Sequence, residues 1–157
     1  MPVINNWIIP DNEKIIEWWE RLKGSKGIWS KLEGNSFESF RESVRNSHLV
    51  FDFGFGFGRV TNLTIGLSAR VHGVFWSPDI FRCPELVLVA LSWLSFECRL
   101  QRIECVVPEK MRGLRRFLEK SLFFELEGTM KSFYSIDGKK ENACLYSLTG
   151  EKGGMNG

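Results

Sequence analysis

Residues 69–108, ARVHGVFWSPDIFRCPELVLVALSWLSFECRLQRIECVVP, decide the fold class. Residues 69–76 read as a strand that Ser77-Pro78-Asp79 stops, since proline cannot continue a ladder. From Glu85 to about Phe96 the spacing changes: Leu86, Val89, Ala90, Trp93 and Leu94 recur at helical intervals in a nearly all-apolar segment, the pattern of a helix packed on most sides. Residues 102–107 then alternate as a second strand. Strand, helix and strand in that order need a crossover, so the sheet is parallel or mixed and the helix lies against it.

Upstream, residues 60–67 form a further strand, separated from the first by a break at Gly66-Leu67-Ser68. Before it, Phe51, Phe53, Phe55 and Phe57 alternate with Asp52, Gly54, Gly56 and Gly58. The glycines invite a phosphate-loop reading, but no helix follows to present its amino end to an anion. They fit a hairpin better: the phenylalanines form its core face, and the glycines permit the turn and a close approach of backbone. Two helices come first. Pro10, Asp11 and Glu13 open one carrying Ile15, Trp18, Trp19 and Leu22 at i, i+3, i+4, i+7, and Lys23-Gly24-Ser25-Lys26-Gly27 breaks it. Ser36 caps the other, which carries Phe37, Phe40 and Val44 and ends at Asn46 and Ser47.

Downstream, Pro108 and Glu109 are expected to open a basic helix running to about Leu122, and residues 130–136 return to strand. Asp137-Gly138 signals a tight hairpin whose second arm is residues 143–148. The class is α+β: a single domain over residues 1–150, a twisted mixed sheet flanked by helices, with residues 151–157 a flexible polar tail.

Composition narrows the function. A chain of 157 residues with 43% hydrophobic side chains can build its own core. Its 21 Lys+Arg against 19 Asp+Glu leave +2, too little for global attraction to nucleic acid or anionic lipid, so any basic site is local. Cys83, Cys98, Cys105 and Cys144 form no CxxC pair and have only two histidines to join them, so no metal is expected. The opening, Met1 to Trp7, is unlike a secretory signal, and the apolar run at residues 86–91 is far short of the roughly 20 residues a bilayer requires. These features describe a cytoplasmic protein with reduced thiols and no membrane contact.

The C-terminal half carries a family likeness. Leu100-Gln101-Arg102-Ile103-Glu104-Cys105-Val106-Val107-Pro108-Glu109, then Phe117-Leu118-Glu119-Lys120 and Phe123-Phe124-Glu125-Leu126-Glu127-Gly128, and finally residues 134–148 stand in an order that resembles the GNAT superfamily of N-acetyltransferases, its ribosomal-protein acetyltransferase-like branch in particular. His72-Gly73-Val74-Phe75-Trp76 and Trp93 are similar to phage-encoded members. The resemblance implies a sheet splayed between its fourth and fifth strands that takes the pantetheine arm of acetyl-CoA. It assigns Val74 and Phe75 to that arm, and Arg82, Cys83, Lys110 and Arg112 to the cofactor's phosphates. A phosphate at a helix amino end is favoured by free N–H groups and the helix dipole.

Several positions depart from the family pattern. The phosphate loop reads Asp79-Ile80-Phe81-Arg82-Cys83-Pro84-Glu85, without the two expected glycines and with a carboxylate where the diphosphate belongs. The asparagine after the fifth strand falls on Met111, the acidic tyrosine on Phe117 or Leu118, the glycine of the helix exit on Leu122 or Phe123, and the acidic residue of the last hairpin on Asn142. The resemblance thus implies a phage- or prophage-type protein, in host cytoplasm or virion, whose acetyl-CoA-dependent transfer is weak or lost. The alternative is a non-catalytic virion, assembly or host-interaction protein on the same fold.

For the chemistry itself, His72 is the best available base, with Glu104 in reserve, although a strand histidine satisfied by a neighbour and a solvent-facing carboxylate are the commoner cases. Lys110, Arg112, Arg115, Arg116 and Lys120 crowd one helix, where Arg115 and Arg116 offer contact to nucleic acid or an acidic surface, diluted by Glu109 and Glu119. Trp18, Trp19, Trp76 and Trp93 fall on apolar stripes and read as core. Trp7 and Trp29 are left for exposure and for a protein partner or self-association.

Overall fold

The computed structural model describes residues 7–25 and 36–150, so Trp29 and the tail at 151–157 lie outside the described residues. Seven strands form one sheet in the order β1-β2-β3-β4-β5-β7-β6: β1 (Trp7–Ile8), β2 (Leu49–Asp52), β3 (Gly56–Thr64), β4 (Ser68–Phe75), β5 (Arg102–Pro108), β6 (Glu125–Ile136) and β7 (Lys139–Thr149). The pair β4–β5 is parallel, whereas β1–β2, β2–β3, β5–β7 and β6–β7 are antiparallel, which makes the mixed sheet the sequence called for. Among the described residues the helices are α1 (Asn12–Gly24), α2 (Phe37–Arg45), α3 (Pro84–Cys98) and α4 (Arg112–Lys120), with a 3₁₀ turn at Pro78–Arg82. The chain groups into two compact units, Met1–Thr61 with His72–Arg82 and Asn62–Val71 with Cys83–Gly157.

In the first unit, Asp11 caps α1 by accepting from the Lys14 N–H at 2.8 Å, and Ser36 caps α2 by accepting from the Ser39 N–H at 3.2 Å. Ile15, Trp18, Trp19 and Leu22 of α1 are buried with Phe40 and Val44 of α2. The Trp18 ring stacks on Phe57 with centroids 4.4 Å apart, and Phe40 meets Phe57 edge-on at 5.8 Å. The Phe-Gly alternation is indeed a hairpin, but its phenylalanines do not share one face: Phe57, opposite Asp52, packs on Trp18, Phe51, opposite Gly58, lies on the other side with Phe53, and Phe55 is half-buried in the loop. Gly54 takes φ +79° in the loop, and a Cβ on Gly56 would lie 2.2 Å from the Val74 carbonyl, so only glycine lets β3 pass there. Strand β1, too short to show a period, was not foreseen; its Trp7 is half-buried with its ring against Phe51.

In the second unit, three sequence expectations need correction. The central helix is not packed on most sides: Ala90, Leu91, Leu94 and Cys98 turn inward, but Trp93 is 40% and Phe96 75% exposed. An apolar segment without a polar face does not record which side is covered. Pro108 closes β5 instead of opening a helix, and α4 starts at Arg112. Glu109 N–H donates to the Asn142 carbonyl at 2.9 Å, so odd-numbered residues of β5 exchange hydrogen bonds with β7 and Pro108 falls where no N–H is needed. Strand β6 begins at Glu125, five residues before the expected start, because as the sheet's outer strand it is exposed on both faces and shows no alternation. Asp137 (φ +53°) and Gly138 (φ +77°) make the expected tight turn between Ile136 and Lys139. No helix among the described residues is long and apolar enough to cross a membrane.

Candidate functional site

The candidates of the first unit differ in accessibility. His72 on β4 is half-buried, with Nε2 2.9 Å from the Thr61 hydroxyl of β3, which orients the ring. Val74 and Phe75 are buried core, Val74 among the aromatic rings and Phe75 6.1 Å from Phe53, so these two can meet a ligand only through their backbone. Arg82 ends the 3₁₀ turn on the surface and reaches Asp79 at 3.9 Å.

In the second unit, Cys83 is the residue before α3, is half-buried, and offers no side-chain cap to the helix; Pro84 takes the first position and Glu85, exposed, the first turn. The paired positions of β4 and β5 run Ser68↔Arg102, Ala69↔Ile103 and Arg70↔Glu104, while β5 continues to Pro108 beside β7. Since odd residues of β5 face β7, Val106 turns its N–H and carbonyl to the other side. That carbonyl accepts from the Tyr134 hydroxyl of β6 at 3.3 Å. Sequence reasoning missed Tyr134: the bond joins positions 28 residues apart, and nothing in a strand alternation foretells it.

Glu104 is pinned. It accepts from Arg102 at 2.9 and 3.1 Å and from Arg70 at 3.1 Å, and Arg102 pairs in turn with Glu127. Burial alone raises a carboxyl pKa, but here the hydrogen bonds from Arg102 and then Arg70 outweigh it and hold Glu104 below its ordinary value. A carboxylate so stabilised is a weak base. Burial pushes the Cys105 thiol on the same strand up to about 12, which removes it as a nucleophile. Among the described residues no group of three or more His, Cys, Asp or Glu is placed to hold a metal ion.

The turn after β5, the start of α4 and the start of β7 bound a polar cavity of about 480 Å³. Lys110 and Arg112 both line it, as does Arg115, whereas Arg116 is exposed on α4 and does not. Lys110 Nζ lies 3.1 Å from Glu141. Arg115 Nε donates to the Tyr146 hydroxyl at 3.0 Å and Nη1 to the Glu109 carbonyl at 3.1 Å. Met111 precedes α4 without capping it, and Asn142 Oδ1 accepts from the Ser132 N–H at 3.1 Å.

Comparison with solved structures places this architecture. An acetyltransferase of the GNAT family from Bacillus anthracis matches at 16% identity and TM-score 0.65, over 94% of this chain and 97% of that one. Spermidine N-acetyltransferase from Vibrio cholerae, solved in complex with CoA and spermine, matches at 15% identity and TM-score 0.73, over 93% and 95%. This is the GNAT acetyltransferase fold. A GCN5-related N-acetyltransferase from Brucella melitensis shares it at 13% identity and TM-score 0.67, over 92% of this chain and 75% of that one. No protein-family model and no curated protein matches the chain. Set on the GNAT fold, the departures read from the sequence acquire positions: Phe117 and Leu118 are buried in α4's inner face, and Phe123 takes φ +63° at the helix exit, a left-handed conformation that glycine adopts without strain.

Proposed function

We propose that the chain is an N-acetyltransferase of reduced efficiency that takes its acetyl group from acetyl-CoA. The observation that carries this reading is the GNAT fold over more than nine-tenths of the chain. Within the second unit β4 pairs with β5 from Ser68↔Arg102 to Arg70↔Glu104, and the Val106 N–H, turned away from β7, is a group that a pantetheine amide would pair with. In the first unit the resemblance gives Val74 and Phe75 a backbone role toward pantetheine and Arg82 one toward phosphate; in the second, the amide end of α3 after Cys83, Lys110 and Arg112 receive phosphate charge. Transfer to an amine needs the nucleophile deprotonated, the thioester carbonyl oriented and the departing thiolate protonated. His72, held by Thr61, is the base, with Glu104 a poorer reserve, and Tyr134 is the hydroxyl at the β5 edge able to give a proton.

Chemistry is weakened because Pro84 removes a donor from the amide end of α3 and Glu85 adds negative charge there. The phage-encoded type rests on the His72–Trp76 strand and Trp93, and it places the protein in host cytoplasm or virion. The same Pro84 and Glu85 favour a second reading, a non-catalytic assembly or host-interaction protein that keeps only the scaffold.

The test is acetyl transfer to a panel of primary amines, followed by thiol release. Wild type should turn over, His72→Ala should lower kcat about 100-fold and Tyr134→Phe about tenfold, each with KM for acetyl-CoA little changed. Thiol release no faster than in buffer would remove the enzymatic reading and leave the scaffold one.

A further inference from the structure

The polar cavity beside α4 does not balance its own charge. Lys110, Arg112, Arg115 and Lys140 line it against Glu109 and Glu141, and the bond between Lys110 and Glu141 leaves three cations facing one carboxylate. Among the described residues neither Arg112 nor Lys140 has an ion-pair partner. Arg115 is placed, not loose: its bonds from Nε and Nη1 fix the guanidinium plane against Tyr146, which is fully buried, and leave Nη2 without a partner among the described residues. Asn142 gives its Oδ1 to the Ser132 N–H and so keeps its amide NH₂ as a donor for the cavity. A solvated basic face would hold flexible side chains on a convex surface. Here a fixed guanidinium, a neutral amide donor and two unpaired cations share a concave site, the arrangement that recognises an oxyanion.

We propose that this cavity binds a doubly charged oxyanion of the phosphate-monoester class, with Arg115 and Asn142 as fixed donors and Arg112 and Lys140 as closing charges. Where the anion is the cofactor's own, the inference rests on the acetyl-CoA reading above, which already gives Lys110 and Arg112 phosphate charge; as a site for a separate anion it stands without it. The phosphate can belong to a nucleotide cofactor or to a separate ligand, and the two sources are separable by experiment.

Inorganic phosphate is titrated into the full chain at constant ionic strength against chloride, following the Asn142 side-chain amide and the Arg115 Nε–H by NMR. Both resonances should move saturably. The R112Q/K140Q pair, exposed and so compatible with folding, should weaken phosphate about tenfold or more, whereas the charge-matched R116Q/K120Q pair on the same helix should bind as wild type. Phosphate shifts no larger than those of chloride, or equal losses in the two double variants, would overturn the site. Coenzyme A and its 3′-dephospho form then identify the source. Selective loss of coenzyme A affinity in R112Q/K140Q assigns the cavity to the cofactor's own phosphate monoester, and unchanged affinity for both assigns it to a separate anion.

Discussion

At the scale of single residues, Arg99 shows how the chain tolerates local strain. It ends α3 in the left-handed region, at φ +52° and ψ +46°, with the Leu100 N–H turned back to the Ser95 carbonyl as a helix terminator requires. Glycine adopts that conformation freely, and a side chain there costs roughly 1 kcal/mol. Arg99→Gly should therefore raise the urea midpoint by an amount equivalent to about 0.5–1 kcal/mol, part of the relief being offset by the freer unfolded chain. A lowered midpoint would show that Arg99 holds the helix end by some other contact. Glu104 gives a second prediction. Its folded pKa is depressed, so its stabilisation is present above the unfolded value near 4.5 and is lost as pH falls through the folded value. In Glu104→Gln the slope of stability against pH below about 4.5 should be shallower than in wild type, although the variant is less stable at neutral pH because Arg70 and Arg102 lose their shared acceptor.

At the scale of elements, the hairpin of β2 and β3 is where glycine matters most. A methyl group on Gly56 would sit 2.2 Å from the Val74 carbonyl and 2.6 Å from the Phe75 Cα, both backbone atoms that cannot turn aside. Gly56→Ala should cost about 2–4 kcal/mol in chemical denaturation, whereas Gly113→Ala, with open space around the new atom on a helix, should be neutral or better. Equal costs at the two positions would refute the close approach. That hairpin was legible because period and glycines agreed, as were α1 and α2, whose caps and apolar stripes appear in the sequence. The extent of β6 was not, since an outer strand wet on both faces has no period to read, and Pro108 misled because its meaning depends on hydrogen-bond parity with β7. The candidate site was legible by residue type alone. His72 stood out as a base, but its tie to Thr61, the Arg70 bond to Glu104, the Tyr134 bond to Val106 and the Arg115 bond to Tyr146 all join residues distant in sequence.

At the scale of the whole molecule, the fold and its local chemistry pull in different directions. The chain shares the GNAT fold, yet the amide end of α3 carries Pro84 and an exposed Glu85. Glu85 suits the helix dipole, so it stabilises the fold while opposing a bound diphosphate. The conflict makes a prediction that neither scale alone contains. If acetyl-CoA binds, it stabilises the native state by mass action, by about 2.7 kcal/mol at a hundredfold excess over Kd, which for a chain of this size raises Tm by roughly 5–10 °C. Glu85→Gln should then lower Tm without ligand, because the helix loses a favourable charge, and at the same time bind acetyl-CoA about two- to fivefold more tightly, because the diphosphate loses a repulsive one. The two melting curves should therefore converge or cross as the cofactor is titrated. Parallel displacement at every concentration would mean that the phosphates do not approach α3, and the acyl donor would have to be sought elsewhere on the fold.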